Sequence, residues 1–432
     1  MLNLEAYISS LPEIKVRACG RLTRSVGMVL EATGPDLAVG SLAAVGRGGR
    51  KVICEVVGFN ENRPLLCPID DARTVEPGDA VSPICLTFRA GEWMLGRVLD
   101  GLGRPIDGRP PGDRGEEIEL IPRPIGPLER GRISQPLDVG VRAINAILTV
   151  GVGQKIGLFS MPGVGKSSLL GMMARGAAAD ANVIALIGER GREVKEFIED
   201  SLGKAGLRNS IVVVVTGDQA APLRVKGAFL ATAIADWMRR KGMKVLLFMD
   251  SLTRVAMAQR ELGLASGEPP AARGYTPSVY ALIPRLVEQA GVISGRGSVT
   301  GIYTVLLHEE DNDVIGEIAK GALDGHIVLD RALAAKGHFP AINPIESISR
   351  VAGRICSPEH NYLRERFIQV YSAWAEAEEL MALGTYKEGM RPRYDDAVAL
   401  HEAMGKFLRQ EINETVSFDD SIAELKLALN QQ

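Results

Sequence analysis

The segment Met161–Ser168 (MPGVGKSS) has the residue types and the spacing of a phosphate-binding loop. It follows an apolar run, Lys155–Ser160 (KIGLFS), and it opens an apolar helical run, so a strand, a tight turn and a helix N-terminus would meet there. Gly163 and Gly165 allow successive N–H groups to point at phosphate oxygens, and the helix dipole favours the same anion. The pattern GxxxxGK(S/T) usually begins with Gly, and here Ser160, another small residue, takes that position.

The loop predicts a nucleotide and a divalent cation as ligands. The ammonium of Lys166 would contact the β- and γ-phosphates of ATP or ADP, and the hydroxyl of Ser167 would be a ligand of Mg²⁺. The predicted nucleotide-binding residues of the loop are Pro162, Gly163, Val164, Gly165, Lys166, Ser167 and Ser168.

Two acidic residues follow other strands of the same predicted sheet. Asp250 ends the apolar run Val245–Asp250 (VLLFMD), and ligands of open α/β sheets bind at the carboxyl ends of such strands. A carboxylate there can hold Mg²⁺, although many strand-end Asp residues only cap helices. Glu189 follows the run Val183–Gly188 (VIALIG). By position alone, Glu189 is equally compatible with orienting a hydrolytic water and with being an exposed carboxylate at a helix start.

The surrounding elements predict a multidomain α/β protein. Continuously apolar strands alternate with helical stretches from about Trp93 to Val351, which is typical of a parallel sheet covered on both faces. Short strands separated by Gly turns between Val16 and Phe88 indicate a small β-barrel, with Val81–Phe88 (VSPICLTF) as one of its strands. From about Cys356 the chain is predicted to be mostly helical.

The first residues are predicted to form a separate short helix. Leu4, Tyr7, Ile8 and Leu11 share one helical face, which either folds back on the body or docks on a partner chain. The predicted domains are therefore a docking helix over 1–14, a β-barrel over 15–91, a phosphate-loop ATPase domain over 92–352 and a C-terminal α-helical domain over 353–432.

Composition narrows the functional classes. The 432 residues carry 50 basic and 53 acidic side chains, a net charge of −3, which argues against a dedicated nucleic-acid binder. The longest apolar runs fall short of the ~18 residues that suggest a membrane span. Five widely spaced cysteines without a CxxC pair predict reduced thiols in a cytosolic protein rather than a zinc site.

Several long motifs together resemble one family. The chain is similar, from about Arg17 to its end, to the type III export ATPases, which are relatives of the rotary ATP synthase catalytic subunit. The motifs are Gly188–Glu196 (GERGREVKE), Asp250–Glu261 (DSLTRVAMAQRE), Gly267–Val279 (GEPPAARGYTPSV), Leu323–Leu329 (LDGHIVL) and Phe339–Val351 (FPAINPIESISRV). Gly20–Gly34, Val56–Asn60 and Val139–Val150 are most similar to the flagellar branch, and the injectisome branch is a close second.

At three places the chain departs from the residues that are usual in the family. Val255 replaces a common Tyr, Thr276 replaces Pro, and His308–Asp313 (HEEDND) replaces a Glu-Gly-Asp-Asp run. None of them falls on the phosphate loop, Glu189 or Asp250, so we expect activity to be retained in a divergent member.

The resemblance implies roles that the residues alone do not establish. It implies that Glu189 activates water and that Arg190 and Arg254 lie near the phosphates in a supporting role. Phe339 would stack on adenine, and Arg350 would be an arginine finger that reaches the nucleotide of a neighbouring subunit. Sharing of the site implies a closed ring of identical subunits, and by the resemblance this ring is a hexamer.

The resemblance also implies a function and partners. The predicted function is ATP hydrolysis that energises protein export through a type III apparatus, with release and unfolding of chaperone-bound cargo. The implied partners are a stator-like regulator, a central stalk protein, export chaperones with their cargo, and the membrane export gate. The implied location is the cytoplasm, peripherally at the inner membrane.

Two alternatives belong to other functional classes. A non-catalytic ring subunit would commonly carry Gln where this chain has Glu189. A nucleic-acid translocase would need a basic, aromatic-bearing barrel or pore, whereas this chain is near neutral and its predicted barrel has few aromatic residues.

Overall fold

The computed structural model describes residues 19–70, 72–85, 87–112, 114–307 and 313–429. The predicted docking helix over 1–14 and most of the divergent segment His308–Asp313 lie outside the described residues. By its contacts the chain divides into two compact units, Met1–Leu86 with Ala265–Gly267 and the remainder. The boundaries predicted at 14/15, 91/92 and 352/353 stay predictions.

The first unit is a closed six-stranded antiparallel barrel with the strand order β1-β2-β5-β4-β3-β6. Its strands are β1 (Gly20–Val26), β2 (Val29–Thr33), β3 (Leu42–Arg47), β4 (Arg50–Asn60), β5 (Arg63–Pro68) and β6 (Ala80–Ile84). In β4 the side chains of Val52, Cys54 and Val56 alternate into the barrel core, as a half-buried strand requires. The sequence did not reveal β1 and β3, because Arg, Ser, Gly and Ala interrupt their apolar pattern.

The single strand predicted over Val81–Phe88 is wrong, because this segment forms the ends of two different strands. Residues up to Ile84 close the barrel, whereas Phe88 begins β7 (Phe88–Ala90), which pairs with β9 (Glu116–Ile118) in the second unit. The ring of Phe88 lies 6.2 Å from that of Trp93 and covers Gly103, where a Cβ atom would lie 2.2 Å from the ring. This packing draws Phe88 into the core of the second unit.

The second unit is built on a nine-stranded sheet with the order β17-β16-β10-β15-β13-β11-β12-β8, and β14 pairs with β15. Apart from β14 and β17, neighbouring strands are parallel. The strands are β8 (Arg97–Leu99), β10 (Lys155–Ser160), β11 (Ala181–Ile187), β12 (Ser210–Val215), β13 (Lys244–Asp250), β14 (Gly291–Val292), β15 (Ser298–Leu306), β16 (Gly325–Leu329) and β17 (Ile342–Ser349). Strand β11 is buried along its whole length, as expected for a parallel strand covered on both faces.

Helices follow the strands as the alternating pattern predicts. Those around the sheet are α1 (Lys166–Gly176), α2 (Gly191–Glu196), α3 (Gly203–Arg208), α4 (Ala221–Arg240), α5 (Leu252–Ala265), α6 (Pro277–Val287), α7 (Val314–Ala322) and α8 (Arg331–Ala335). Two π-helical segments, Ile144–Leu148 and Phe197–Leu202, complete this layer.

The C-terminal region is helical, and its helices are α9 (Ala352–Ile355), α10 (Pro358–Ala382), α11 (Pro392–Leu408) and α12 (Phe418–Ala428). It shares one hydrophobic core with the sheet, because Phe367, Leu400 and Leu425 belong to the same buried cluster as Ile156 and Phe248. The predicted fold class, a barrel, a phosphate-loop α/β domain and a helical C-terminal region, is confirmed. Among the described residues, no helix is long and apolar enough to cross a membrane.

Candidate active site

The predicted phosphate loop lies between β10 and α1, at the carboxyl edge of the sheet. Gly163 and Gly165 have φ angles of +82° and +90°, a region that favours glycine over residues with a Cβ atom. Helix α1 begins at Lys166, and no side chain caps its N-terminus. The first N–H groups of this helix therefore remain available to an anion such as a phosphate.

Three charged side chains meet beside the loop. The ammonium of Lys166 forms an ion pair with Asp250 Oδ1, and its Nζ lies 3.5 Å from Glu189 Oε1. The side chains of Lys166, Glu189 and Asp250 are 13%, 14% and 3% exposed. Because β10, β11 and β13 are parallel, their carboxyl ends bring these residues together although 84 positions of sequence separate the outermost pair.

Burial and charge set the protonation of this cluster. Burial, together with the negative charge of Asp250, raises the pKa of Glu189 to about 7, although the positive charges of Lys166 and Arg254 oppose the shift. Burial by itself would lower the pKa of Lys166, but the charges of Asp250 and Glu189 outweigh it and leave this pKa raised. Lys166 is therefore charged at neutral pH, while Glu189 is close to its own midpoint.

Some buried polar atoms near the cluster have no hydrogen-bond partner. Ser160 Oγ at the end of β10 and Arg254 Nε are buried and lack a hydrogen-bond partner, and the partner of Glu189 Oε1 is the Lys166 ammonium at 3.5 Å. Such atoms cost free energy, and a ligand that supplied hydrogen bonds at this edge of the sheet would satisfy them.

An acidic cleft of ≈ 200 Å³ adjoins the loop, and Ser167, Glu189, Glu193 and Asp250 contribute to its lining. Oxygen donors of this kind suit Mg²⁺, which usually takes one or two protein ligands and keeps water or phosphate oxygens for the rest. Within the described ranges, no group of three or more His, Cys, Asp or Glu side chains is arranged to hold a metal by itself. The residues present thus fit a cation that arrives with phosphates.

A second cleft, of ≈ 580 Å³, is also lined by the loop, through Gly163, Gly165 and Ser168, and its volume suits a small ligand. Phe339 lines it and is 45% exposed as a residue, and a Cβ atom on Gly165 would lie 3.4 Å from the Phe339 ring. An aromatic face that is open beside a phosphate loop can stack on a nucleotide base.

The C-terminal helical region completes this second cleft through the segment 409–414. The backbone N–H of Gln410 donates a hydrogen bond to the carbonyl of Phe339 at 3.0 Å, and the Gln410 side chain accepts one from the backbone of Arg142 at 2.7 Å. The sequence did not reveal these residues, because about 70 residues separate them from Phe339 and they carry no motif.

The two supporting arginines have different surroundings. Arg254 packs its methylene groups on Gly188, where a Cβ atom would lie 2.7 Å from Arg254 Cβ, and its charge acts on Glu189. Arg190 lies at the N-terminus of α2 with a side chain that is 80% exposed, and it pairs with Glu193 at 3.3 Å. The structure thus brings Arg254, but not Arg190, against the charged cluster.

Arg350 lies at the opposite edge of the sheet. Strand β17 runs antiparallel to β16, and its last residue, Ser349, pairs with Gly325 at the start of β16. The backbone N–H of Arg350 donates to Asp324, which also accepts from the backbone of Lys155 at the start of β10. Arg350 thus lies beside the start of β10, and five residues of that strand, about 17 Å of extended chain, separate it from the phosphate loop. The Arg350 side chain is exposed.

Two family models match the chain. Residues 140–349 match the ATP synthase alpha/beta family, nucleotide-binding domain, and residues 356–427 match the T3SS EscN ATPase C-terminal domain. The first match contains the phosphate loop, Glu189, Asp250 and Phe339, and the second covers most of the helical region.

Individual relatives agree with these models. A flagellum-specific ATP synthase of Pseudomonas aeruginosa is 49% identical over 98% of this chain and 96% of its own length. A type 3 secretion system ATPase of Sinorhizobium fredii is 43% identical over 97% of this chain and 95% of its own length. The assembled ATPase EscN of enteropathogenic E. coli, solved with its central stalk EscO, superposes with a TM-score of 0.87 at 38% identity, over 95% of this chain and 100% of EscN.

Proposed function

The chain belongs to the family of type III export ATPases, and we propose that it hydrolyses ATP to energise protein export, in the flagellar branch of that family. The observation that carries the proposal is the cluster of Lys166, Glu189 and Asp250 beside a phosphate loop. Three flagellum-specific relatives are 45%, 49% and 47% identical to the chain, against 43% and 41% for two type 3 secretion system ATPases, and this supports the flagellar branch, although three further flagellum-specific relatives are 42–43% identical.

The nucleotide is proposed to replace internal ion pairs. Its phosphates would accept hydrogen bonds from the N–H groups of residues 162–168 and attract the Lys166 ammonium away from Asp250 and Glu189. Phe339 would stack on adenine, and Ser167 and Asp250 would hold Mg²⁺, which when bound neutralises phosphate charge. The ion pairs in the described structure are thus the resting partners of side chains that the nucleotide would recruit.

Glu189 is proposed to orient the attacking water. Once Lys166 has turned to the phosphates, the Glu189 carboxylate loses its cation and becomes a stronger hydrogen-bond acceptor for a water molecule. The water oxygen would bond to the γ-phosphorus as the bond to the ADP oxygen breaks. Arg254 lies beside Glu189 and would offset charge there, whereas the exposed Arg190 would reach the phosphates only after its side chain moves.

Arg350 is proposed to act on the nucleotide of a neighbouring copy. It lies at the edge of the sheet opposite to its own phosphate loop, so its guanidinium is far from the phosphates that the same chain would bind. A head-to-tail ring would bring one copy's Arg350 to the next copy's loop, and an arginine on the γ-phosphate can accelerate hydrolysis by about 10³-fold or more. The assembled state of EscN supports such a ring, which we propose is a hexamer.

The proposed partners follow from the family. EscN is solved with its central stalk EscO, which supports a stalk protein as a partner of this chain. A stator-like regulator, chaperone–cargo complexes and a peripheral position at the membrane export gate rest on the family resemblance alone.

Transfer into living cells tests the function. The gene should restore motility to a bacterium that lacks its flagellar export ATPase, and the Lys166→Ala variant should not restore it. Restoration of injectisome secretion but not of motility would instead favour the second branch, which the match to the EscN C-terminal domain model makes the alternative candidate. The proposal would be contradicted if the gene restored neither motility nor injectisome secretion and the purified protein also had no ATPase activity.

A further inference from the structure

Thr304 is a buried hydroxyl group that no motif singles out. It lies near the carboxyl end of β15, the strand between β10, which leads into the phosphate loop, and β13, which ends at Asp250. Its neighbours along the strand are mostly apolar, in the run Ser298–Leu306 (SVTGIYTVL), and the Thr304 side chain is fully buried. A hydroxyl in a parallel strand that is covered on both faces requires an explanation.

The hydroxyl contacts the acidic residue of the site. Thr304 Oγ1 donates a hydrogen bond to Asp250 Oδ1 at 2.7 Å, and its other acceptor, the carbonyl of Met249, is more distant at 3.4 Å. The strand register explains this contact, because Tyr303 pairs with Met249 and the next residues of the two strands are Thr304 and Asp250. Both residues are thus fixed by a rigid part of the sheet.

The same carboxylate oxygen also contacts Lys166. When the nucleotide binds together with Mg²⁺, Lys166 would turn to the phosphates and the cation would take its place beside Asp250. Nucleotide without Mg²⁺ would instead leave Lys166 shared between the phosphates and the buried Asp250 carboxylate. A buried carboxylate without partners is costly. Thr304 is the donor that stays, because the backbone of β15 holds it and no phosphate competes for it.

We propose that Thr304 is a positioning residue that keeps Asp250 oriented and hydrogen-bonded when Lys166 leaves it, so that Asp250 can serve the cation that accompanies the nucleotide. This inference rests on the proposed function, since it assumes that ATP and Mg²⁺ bind at this site. It predicts that the Thr304 hydroxyl affects the gain in nucleotide affinity that Mg²⁺ brings, more than it affects the affinity for nucleotide alone.

Thr304→Val tests the hydroxyl with little change in shape. Dissociation constants of a fluorescent ATP analogue are measured with excess Mg²⁺ and with EDTA. We expect the ratio of the two constants to change by about tenfold toward weaker Mg²⁺ dependence, the effect of one hydrogen bond to a charged group. The constant in EDTA should stay within about twofold, and Thr304→Ser, which keeps the donor, should restore most of the ratio.

Thr300→Val is the matched control. Thr300 lies on the same strand and is buried, but its hydroxyl accepts a hydrogen bond from the backbone N–H of Gly153 at 2.8 Å, away from the site. We expect this variant to lose stability without a change in the Mg²⁺ ratio. Thr304→Ala, which adds no methyl group beside the carboxylate, is measured in parallel in case Thr304→Val does not fold, and it should show the same loss.

The outcomes separate this inference from the proposed function. If the unaltered chain binds the analogue no better with Mg²⁺ and hydrolyses no ATP, the proposed function is wrong. If the unaltered chain shows both properties and the folded Thr304 variants keep its Mg²⁺ ratio, only the role of Thr304 is wrong. An equal loss of affinity in Mg²⁺ and in EDTA would also overturn that role, because it would mean a general disturbance of the loop.

Discussion

The two edges of the central sheet differ in how completely their charged groups are partnered. At the carboxyl edge, Lys166, Glu189 and Asp250 are buried together, and the single ammonium pairs with both carboxyl groups. At the opposite edge, Arg350 is exposed, and within the described part of the chain its guanidinium donates a weak hydrogen bond, at 3.4 Å, to the carbonyl of Lys320. One edge is therefore preorganised within a single chain, whereas the other presents a cation that can still engage an external anion.

This difference distinguishes nucleotide binding, which one copy can perform, from the action of Arg350, which requires a second copy. The buried cluster should bind nucleotide in an isolated chain, because all of its parts belong to one sheet. The exposed Arg350 should contribute nothing to binding in isolation, because about 17 Å of strand separates it from its own loop. Substitutions at the carboxyl edge should therefore affect even an isolated chain, whereas substitutions of Arg350 should affect only assembled copies.

Lys166→Ala should have the largest effect. The change removes the phosphate contact and also leaves two buried carboxylates without their cation, so we expect turnover to fall to background and nucleotide binding to weaken strongly. Repulsion between Glu189 and Asp250 should further lower the melting temperature, and more so as the pH rises above the pKa of Glu189, which the loss of Lys166 raises further. Steady-state ATPase assays and thermal unfolding at two pH values measure both effects.

Lys195→Ala is the control for this first test, because Lys195 is exposed and lies 3.9 Å from its partner Glu199. Surface pairs of this kind contribute little to stability, so this variant should behave as the unaltered chain. Near-normal turnover by Lys166→Ala would show that the phosphate loop is not the active site.

Glu189→Gln should separate binding from chemistry at the buried edge. The amide keeps the size of the side chain but cannot take a proton from water, so we expect ATP binding to persist while turnover falls by about 10²-fold or more. Glu199→Gln, which changes an exposed carboxylate in the π-helical segment Phe197–Leu202, is the matched control. Retained turnover in Glu189→Gln would mean that another group activates water.

The pH dependence of catalysis should report the same carboxyl group. With a raised pKa of about 7, Glu189 is protonated below that value and cannot accept a proton, so kcat/KM should fall as the pH decreases through about 7. Above that value the carboxylate is ionised and kcat/KM should level off. A profile that stays flat between about pH 6 and pH 8 would contradict this assignment.

Phe339→Ala should have the smallest effect of the set. The loss of one stacking face beside the loop should raise KM for ATP by about five- to tenfold and leave kcat nearly unchanged. Phe339→Tyr keeps the ring and should retain the original KM. An unchanged KM in the alanine variant would remove Phe339 from the base site.

The sequence predicted the buried edge well because its parts follow local rules. A Gly-rich loop between a strand and a helix can be identified without the fold, and apolar runs that end in Glu189 or Asp250 bring both residues to one edge of a parallel sheet. The fold class followed from the same alternation of strands and helices. The exact role of each of these residues stays a prediction.

Other features depend on packing that no local pattern encodes. Gln410 reaches Phe339 because the C-terminal helices share the core of the sheet, and Thr304 reaches Asp250 through the register of two neighbouring strands. The sequence places Phe88 on the wrong strand, because its apolar neighbours do not indicate that it packs against Trp93 and Gly103. Arg350 would have been an ordinary surface arginine without the family resemblance.

A mixing experiment between two inactive variants tests most directly whether the site is shared between copies. Arg350→Ala keeps an intact buried edge and Glu189→Gln keeps an intact Arg350, so in mixed rings about one quarter of the interfaces would join the two intact parts. Activity should therefore rise to a maximum near an equal mixture. Glu189→Gln mixed with Lys166→Ala should give no rescue, because both changes affect the same edge. If both variants form rings, and the Arg350→Ala and Glu189→Gln mixture never exceeds the weighted sum of its components, Arg350 does not act on a neighbouring copy.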